Sequence, residues 1–446
     1  VAATGTFMAT LDSGLVNVAL PTIAQDFGAA LPAAQWVITG YMLAISCLLP
    51  LCGRAGDILG RRSVYRLGFL IFALASALGG AAPSLGMLVA SRVLQGMGAS
   101  LLMANSSAVI LEAFPGVEKG RALGFVGLVV AVGTLSGPSL GGIIMHATGW
   151  RFLFYLTVPV GLAGMFLARL LPASARQGPR PSFDLPGAGL FALGLTGLLL
   201  ALTHGRDWGL ASPRLAASLG LGLLAWLLFW LRERSVPEPM LDMKLLSHWP
   251  FLSGNLASML SFMALFSNAI LLPFYLQNQR GMPTSRVGLI MAAMPLAVGF
   301  TAPFSGWFSE RVNQALLASG GLTLSCTGLL LQSGLTLSTP LWRVLLGQAV
   351  IGLGIGLFQS PNNNSVLSSA PRDKAGQAGG IMALVRNLGV VCGVSLAVAA
   401  FELFRGGDQA DPAAFFGGFS AALRLGALLA LCGAVLSFRR RGHFRT

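Results

Sequence analysis

Apolar stretches of about 20 residues recur from one end of this chain to the other, each long enough to cross a hydrocarbon core of about 30 Å. No separate polar domain interrupts them. Only 10% of the residues are charged and 54% are hydrophobic, against about 25% charge in a soluble globular chain. The solvent of this fold is lipid. There, every backbone N–H and C=O needs a partner within the protein, which makes runs of this length helices. The expected fold class is an all-α polytopic membrane protein of about fourteen spans. They are read at 3–24, 34–56, 64–83, 86–110, 121–145, 151–171, 186–203, 214–231, 250–276, 286–308, 314–335, 343–367, 378–402 and 417–438. The first run has a span after it and no cleavage site, so it is expected to be a retained helix and not a signal peptide.

The formal charge of +14 raises the question of nucleic acid, but the Lys and Arg sit in short breaks between apolar runs. With the N-terminus inside, Arg54, Arg61, Arg62, Arg66, Lys119, Arg121 and the tail Arg439, Arg440 and Arg441 fall on the cytoplasmic face. The outer face receives fewer, among them Arg151, Arg206, Arg280 and Arg405. That is the bias of positive charge kept inside, and it fits an even number of spans with both termini cytoplasmic. Arg greatly outnumbers Lys, which fits a GC-rich bacterium, so the expected location is a bacterial inner (plasma) membrane. Cys47, Cys52, Cys326, Cys392 and Cys432 lie inside apolar segments without paired spacing and read as small core residues. His146, His204, His248 and His443 lie in loops or at helix ends and form no metal set. No nucleophile–base arrangement and no phosphate-binding glycine loop is present. Neither enzyme chemistry nor ATP drive nor a bound cofactor is expected; the energy source is expected to be the proton gradient.

An internal repeat sets the domain plan. At a single shift of 256 residues, Gly96, Gly98, Pro115, Gly120, Gly133, Gly137 and Ser139 fall on Gly352, Gly354, Pro371, Gly376, Gly389, Gly393 and Ser395. An ungapped match over two spans and their loop is a parallel duplication, the plan of a two-bundle transporter. The shift exceeds the length of six helices and leaves room for two more. The expected organisation is a six-helix bundle over 1–171, two additional helices with linkers over 172–245, and a second six-helix bundle over 246–446.

Several segments carry chemistry. The loop after span two, GRAGDILGRR, places Gly53, Asp57, Gly60, Arg61 and Arg62 where two helix ends meet. Its glycines permit close approach, and its acid and bases can pair with one another or with lipid phosphates. A worn copy runs from Gly306 to Arg311, with Glu310 in the place of Asp57. Span five holds GTLSGPSLGG. Gly133, Gly137 and Gly141 recur every fourth residue on one face, Gly142 follows, and Pro138 removes a helical hydrogen bond and permits a bend. Asp12 lies about halfway along span one, where a charged carboxylate costs about 2.5–3.5 kcal/mol on insertion scales, and burial favours its protonated form. Arg92 opens RVLQGMGAS in span four, and a buried Arg needs a carboxylate or carbonyl partner. Glu402, near the outer end of its span, is a candidate second acid for protons or cations.

These segments resemble the major facilitator superfamily, and within it the drug:proton antiporter branch with fourteen spans. The resemblance is strongest from Leu11 to Gly161 and from Gly347 to Gly393. It implies two six-helix bundles alternating access around a midplane cavity. The loop after span two would stabilise the outward-facing state, and the span-five motif would mark an exporter. Asp12 would be the coupling acid and Arg92 a fixed positive charge acting on its proton. Residues expected to line a substrate cavity are Asn17, Trp36, Tyr41, Gln95 and Asn105 in the first half. In the second they are Asn255, Phe262, Phe266, Asn268 and Tyr275, then Gln359, Asn362 and Asn363 of QSPNNNSV, and Arg386 and Asn387. The function expected is proton-coupled export of small amphipathic, including cationic, compounds by a monomer whose partners are substrate, protons and lipid. The alternatives are an exporter or importer of a native metabolite or lipid, and a non-transporting membrane sensor.

Overall fold

The computed structural model describes residues 2–113, 133, 136–171, 184–209, 212–236, 243–309, 311–371, 375–405 and 412–440. These residues are almost wholly helical. The first run of helices is α1 (Ala2–Asp26), a single turn α2 (Leu31–Ala34), α3 (Trp36–Leu59), α4 (Arg61–Gly80), α5 (Leu85–Ala113), α6 (136–148) and α7 (Trp150–Leu167). Then come α8 (Leu185–Trp208), α9 (Pro213–Glu233) and a short α10 (Met243–Ser247). The last run is α11 (Trp249–Phe274), α12 (Thr284–Met291), α13 (Ala293–Ser309), α14 (Gln314–Ser333), α15 (Leu341–Ser368), α16 (Ala375–Phe404) and α17 (Pro412–Arg439).

Among the described residues, 13 helical segments are long and apolar enough to cross a membrane. Span five, read at 121–145, falls largely outside the described residues, and α6 is its described end. The span read at 286–308 is built from α12 and α13 with a break at Ala292. Between α3 and α4 the chain turns at Gly60, whose φ of +86° is costly for any residue with a Cβ. Large apolar side chains stand exposed along the outer faces, as at Leu221, Leu223 and Leu227 of α9 and Phe300, Phe304 and Trp307 of α13. On a membrane protein such faces meet lipid tails.

The contacts divide the chain into two units, Val1–Leu198 with Ala217–Met240, and Leu199–Ala216 with Leu241–Thr446. This division cuts both α8 and α9, whose adjoining ends fall with the second unit. In the first unit α5 packs on α3 and α4, α1 on α5 and α7, and α4 on α7. In the second, α15 packs on α13 and α14, and α11 on α16 and α17.

The shared glycines show why the repeat survives in the sequence. A Cβ on Gly98 would lie 2.8 Å from the Gly68 carbonyl, and one on Gly354 would lie 2.5 Å from the Gly321 carbonyl. A Cβ on Gly96 would lie 2.6 Å from the Tyr41 carbonyl oxygen, and one on Gly352 would clash with that of Met294. Gly133 and Gly137 lie against α1 at Phe7 and Leu11, while Gly389 and Gly393 lie against α11 at Met259 and Met263. These are main-chain contacts that no side chain accommodates, so glycine is retained in both copies at the same helix crossings.

Candidate functional site

A buried polar network at the centre of the first unit joins α1, α3, α4 and α5. Asp12 and Arg92 are 1% and 0% exposed, and Gln95, Ser76 and Tyr41 are 0% exposed. Arg92 and Gln95 lie one turn apart on α5, so both reach the same point on α1. The Arg92 Nη1 donates to Asp12 Oδ2 and to Gln95 Oε1. Its Nε donates to the Val37 carbonyl at 2.9 Å, which draws in α3. The Gln95 Nε2 donates to Asp12 Oδ1 at 3.0 Å and to Ser76 Oγ at 2.8 Å, which draws in α4. The Arg92 guanidinium lies 4.0 Å from the centre of the Tyr41 ring, a cation–π placement that is favoured where water is excluded. The Tyr41 hydroxyl donates to the Ala9 carbonyl at 2.8 Å and fastens α3 to α1 close to Asp12.

Chemically this is a carboxylate whose two oxygens both receive donors. Breaking such a buried pair by removing one partner costs about 3–5 kcal/mol, because the other charge is left uncompensated. Protonation of Asp12 would likewise weaken its hold on Arg92 and on Gln95. The network thus ties the packing of α1 to that of α5 through one carboxylate. At 1% exposure Asp12 is sealed from solvent in this conformation.

The register of the repeat shows how the second unit differs. Matching Leu11 with Met263 sets Ala264 in the place of Asp12. Matching Gly68 with Gly321 and Gly96 with Gly352 sets Leu329 in the place of Ser76, and Gln348 and Ile351 in those of Arg92 and Gln95. Ala264, Leu329 and Ile351 line a small cavity with Ser261, Ser325 and Ile355. The charged chemistry of the first unit has no copy there; Gln348 makes only a long 3.4 Å hydrogen bond to Asn268.

The structure places the remaining residues read from the sequence as follows. Asn105 donates to the Cys52 carbonyl at 2.9 Å, across the bare backbone of Gly56, and so holds α5 to α3. Arg61 and Arg62 begin α4 half-buried, while the Asp57 and Arg54 side chains and Glu310 lie outside the described residues. Gly137 and Gly141 face α1; Pro138 and Gly142 are buried in α6. Asn17 is buried and Trp36 half-buried. Glu402 sits 3.7 Å from Arg405 at the end of α16, each about a fifth exposed. Asn255 donates back to the Phe251 carbonyl in its own helix. Phe266 is buried, and Phe262 is half-buried beside Gly389. Tyr275 starts a π-turn and donates to the Thr336 carbonyl at 2.9 Å. Gln359 and Arg386 are half-buried, Asn387 is buried and Asn363 is exposed. Among the described residues no group of three His, Cys, Asp or Glu is placed to hold a metal.

Asn362 is part of a second buried set that spacing did not reveal. Its Oδ1 accepts from Arg440 Nη2 at 2.7 Å, and its Nδ2 donates to the Gly254 carbonyl at 3.2 Å, joining α15, the end of α17 and α11. Arg440 is 1% exposed. Asn362→Ala is expected to destabilise the protein by about 1.5–3 kcal/mol, the worth of a hydrogen bond to a charged group. Asn362→Asp is expected to raise the melting temperature above that of Asn362→Ala, and thermal unfolding in detergent reads both. Ser76 and the Val37 carbonyl were also missed. No local pattern marks a serine 19 residues from its partner.

Known proteins resemble this chain along most of its length. The family model described as Major Facilitator Superfamily matches residues 2–394. The riboflavin transporter RibZ of Clostridioides difficile (strain 630) is 36% identical over 396 residues, which cover 88% of this chain and 85% of that protein. The multidrug resistance protein Stp of Mycobacterium tuberculosis (strain CDC 1551 / Oshkosh) is 32% identical over 399 residues, covering 88% and 73%. Among solved structures, a bacterial homologue of the human lysosomal transporter Spinster superposes with a TM-score of 0.71 at 16% identity. The match covers 99% of this chain and 96% of that one.

Proposed function

This chain belongs to the Major Facilitator Superfamily, and we propose that within it the protein is a proton-coupled antiporter that exports small amphipathic compounds by alternating access. It is a multi-pass membrane transporter. The observation that carries the finer reading is the sealed Asp12–Arg92–Gln95 network. A proton arriving at Asp12 loosens its contacts with α5, and the loosened unit changes which side of the membrane it opens to. Return of Arg92 to the carboxylate expels the proton and resets the cycle. An inward-moving proton brings about 2.3 kcal/mol per 100 mV of membrane potential, enough to drive export against a gradient. The drug-resistance relative supports export of foreign compounds.

A second reading has its own support. RibZ, by name a riboflavin transporter, favours a native metabolite as cargo. Proteoliposomes with an imposed pH gradient separate the two. Gradient-driven movement of ethidium, reduced to background by a protonophore, is the expected result. Movement of riboflavin without ethidium would favour the metabolite reading, and movement of neither with or against the gradient would remove the antiporter reading.

A further inference from the structure

The last residue of α1 and the first turn of α7 meet in a cluster that already holds a cation. Asp26 ends α1, Phe27 follows it, and Trp150 and Arg151 open α7. Gly28 at φ +60° and Gly149 at φ +82° turn the chain beside them, conformations costly for any residue with a Cβ. The Asp26 Oδ2 accepts from the Trp150 indole Nε1 at 3.1 Å and from Arg151 Nη1 at 2.8 Å. The Arg151 guanidinium lies 4.3 Å from the centre of the Trp150 ring and 5.9 Å from that of Phe27. The two rings stand 5.7 Å apart at 62°. They form a corner, with the guanidinium against both rings and the carboxylate at the indole edge.

The parts of this cluster are not equally firm. Arg151 is 44% exposed and meets Asp26 through one nitrogen, and an exposed single-point ion pair holds weakly. Trp150 is 4% exposed and packs edge-on against the buried Phe154, with ring centres 6.0 Å apart. Asp26 keeps its indole donor when Arg151 swings out. It also stands at the C-terminal end of α1, where the helix's own carbonyls add negative charge. Departure of Arg151 therefore leaves a fixed carboxylate beside an aromatic corner, the set of groups that recognises a cationic guest.

We infer that Asp26, Trp150 and Phe27 form a peripheral binding site for planar guanidinium or amidinium compounds, with Arg151 as its resident competitor. The present occupant sets the class, a flat cation that lies over the indole face and points an N–H at the carboxylate. Asp12 is 14 residues back along α1 (26 − 12), about 21 Å at 1.5 Å per residue. The site is therefore distinct from the buried network, and its occupancy does not depend on the proton-coupling reading.

The test is equilibrium dialysis of radiolabelled benzamidine against the full chain in nanodiscs of zwitterionic lipid, with benzamide as the neutral probe of the same shape. Arg151→Ala removes the competitor and is expected to tighten benzamidine binding about fivefold. Asp26→Asn keeps an acceptor for the indole N–H and loses only the charge. Added to Arg151→Ala, it is expected to weaken benzamidine binding by about tenfold or more, the loss of a charge-assisted hydrogen bond. Benzamide is expected to show neither change. Both substitutions alter an exposed pair, so melting temperatures are expected to stay within about 2 °C of the parent. Unchanged or weaker benzamidine binding by Arg151→Ala would overturn the inference. So would binding undiminished by Asp26→Asn, or equal gains for benzamide. A fall in melting temperature without any change in benzamidine binding would make the cluster a clasp of α1 on α7 and nothing more.

Discussion

Asp12→Asn is expected to abolish transport driven by a pH gradient while leaving exchange of labelled for unlabelled ethidium across the same vesicles. The amide keeps the shape of the carboxyl and can still meet Gln95 Nε2, which donates to Oδ1 at 3.0 Å in the parent. It neither takes up a proton nor balances Arg92, which is 0% exposed. The single variant is therefore expected to lose about 3–5 kcal/mol of stability, the cost of a buried charge stripped of its partner. Asp12→Asn combined with Arg92→Gln removes that charge as well, and its melting temperature is expected to recover a large part of the loss. Gradient-driven transport is not expected to recover with it. That split between stability and coupling separates a working acid from one that only holds a bundle together. Recovery of both together would assign Asp12 a structural role.

The second large effect is expected at Gly137. Its Cβ would lie 2.5 Å from the Gly14 Cα and 2.8 Å from the Leu11 carbonyl oxygen, and both are backbone atoms of α1. A side chain there cannot be relieved by a rotamer change, so α6 and α1 must separate at the level of Asp12. Gly137→Leu is expected to exceed the upper part of the usual overpacking cost of about 1–3 kcal/mol and to prevent accumulation of folded protein in the membrane. Gly137→Ala is expected to fold with a lowered melting temperature and reduced transport. Gly299→Ala is the matched control, since nothing lies within 4 Å of a Cβ at that position. Equal behaviour of the Gly137 and Gly299 variants, read by size-exclusion profile and thermal melting, would contradict the packing account.

Much of the architecture was legible because lipid simplifies the rules. Apolar length gives spans, and a glycine that touches backbone in both halves persists as a visible repeat. The ungapped shift found only α5 and α6 with their counterparts because the loops differ in length. Gly96 and Gly352 share one register, while Leu11 and Met263 share another. Asp12 and Arg92 stood out individually as costly charges in apolar runs, yet nothing in the spacing tells that an acid on α1 meets a base 80 residues later. Gln95 read as one more cavity amide; in the structure it bridges Asp12 to Ser76. Asn362 makes the same point in the other unit. An asparagine in an apolar helix looks alike in sequence whether it meets a guest or, as here, the guanidinium of Arg440.

The central claim is that the proton binds at Asp12 and that its binding is tied to movement of substrate. The most direct measurement runs the cycle backwards. Vesicles holding the purified protein and an internal pH dye, at equal pH on both sides, are given a concentration gradient of ethidium. The account predicts that the parent protein moves protons opposite to ethidium and that Asp12→Asn vesicles pass ethidium with no pH change. Proton movement of equal size in the Asp12→Asn vesicles would contradict it.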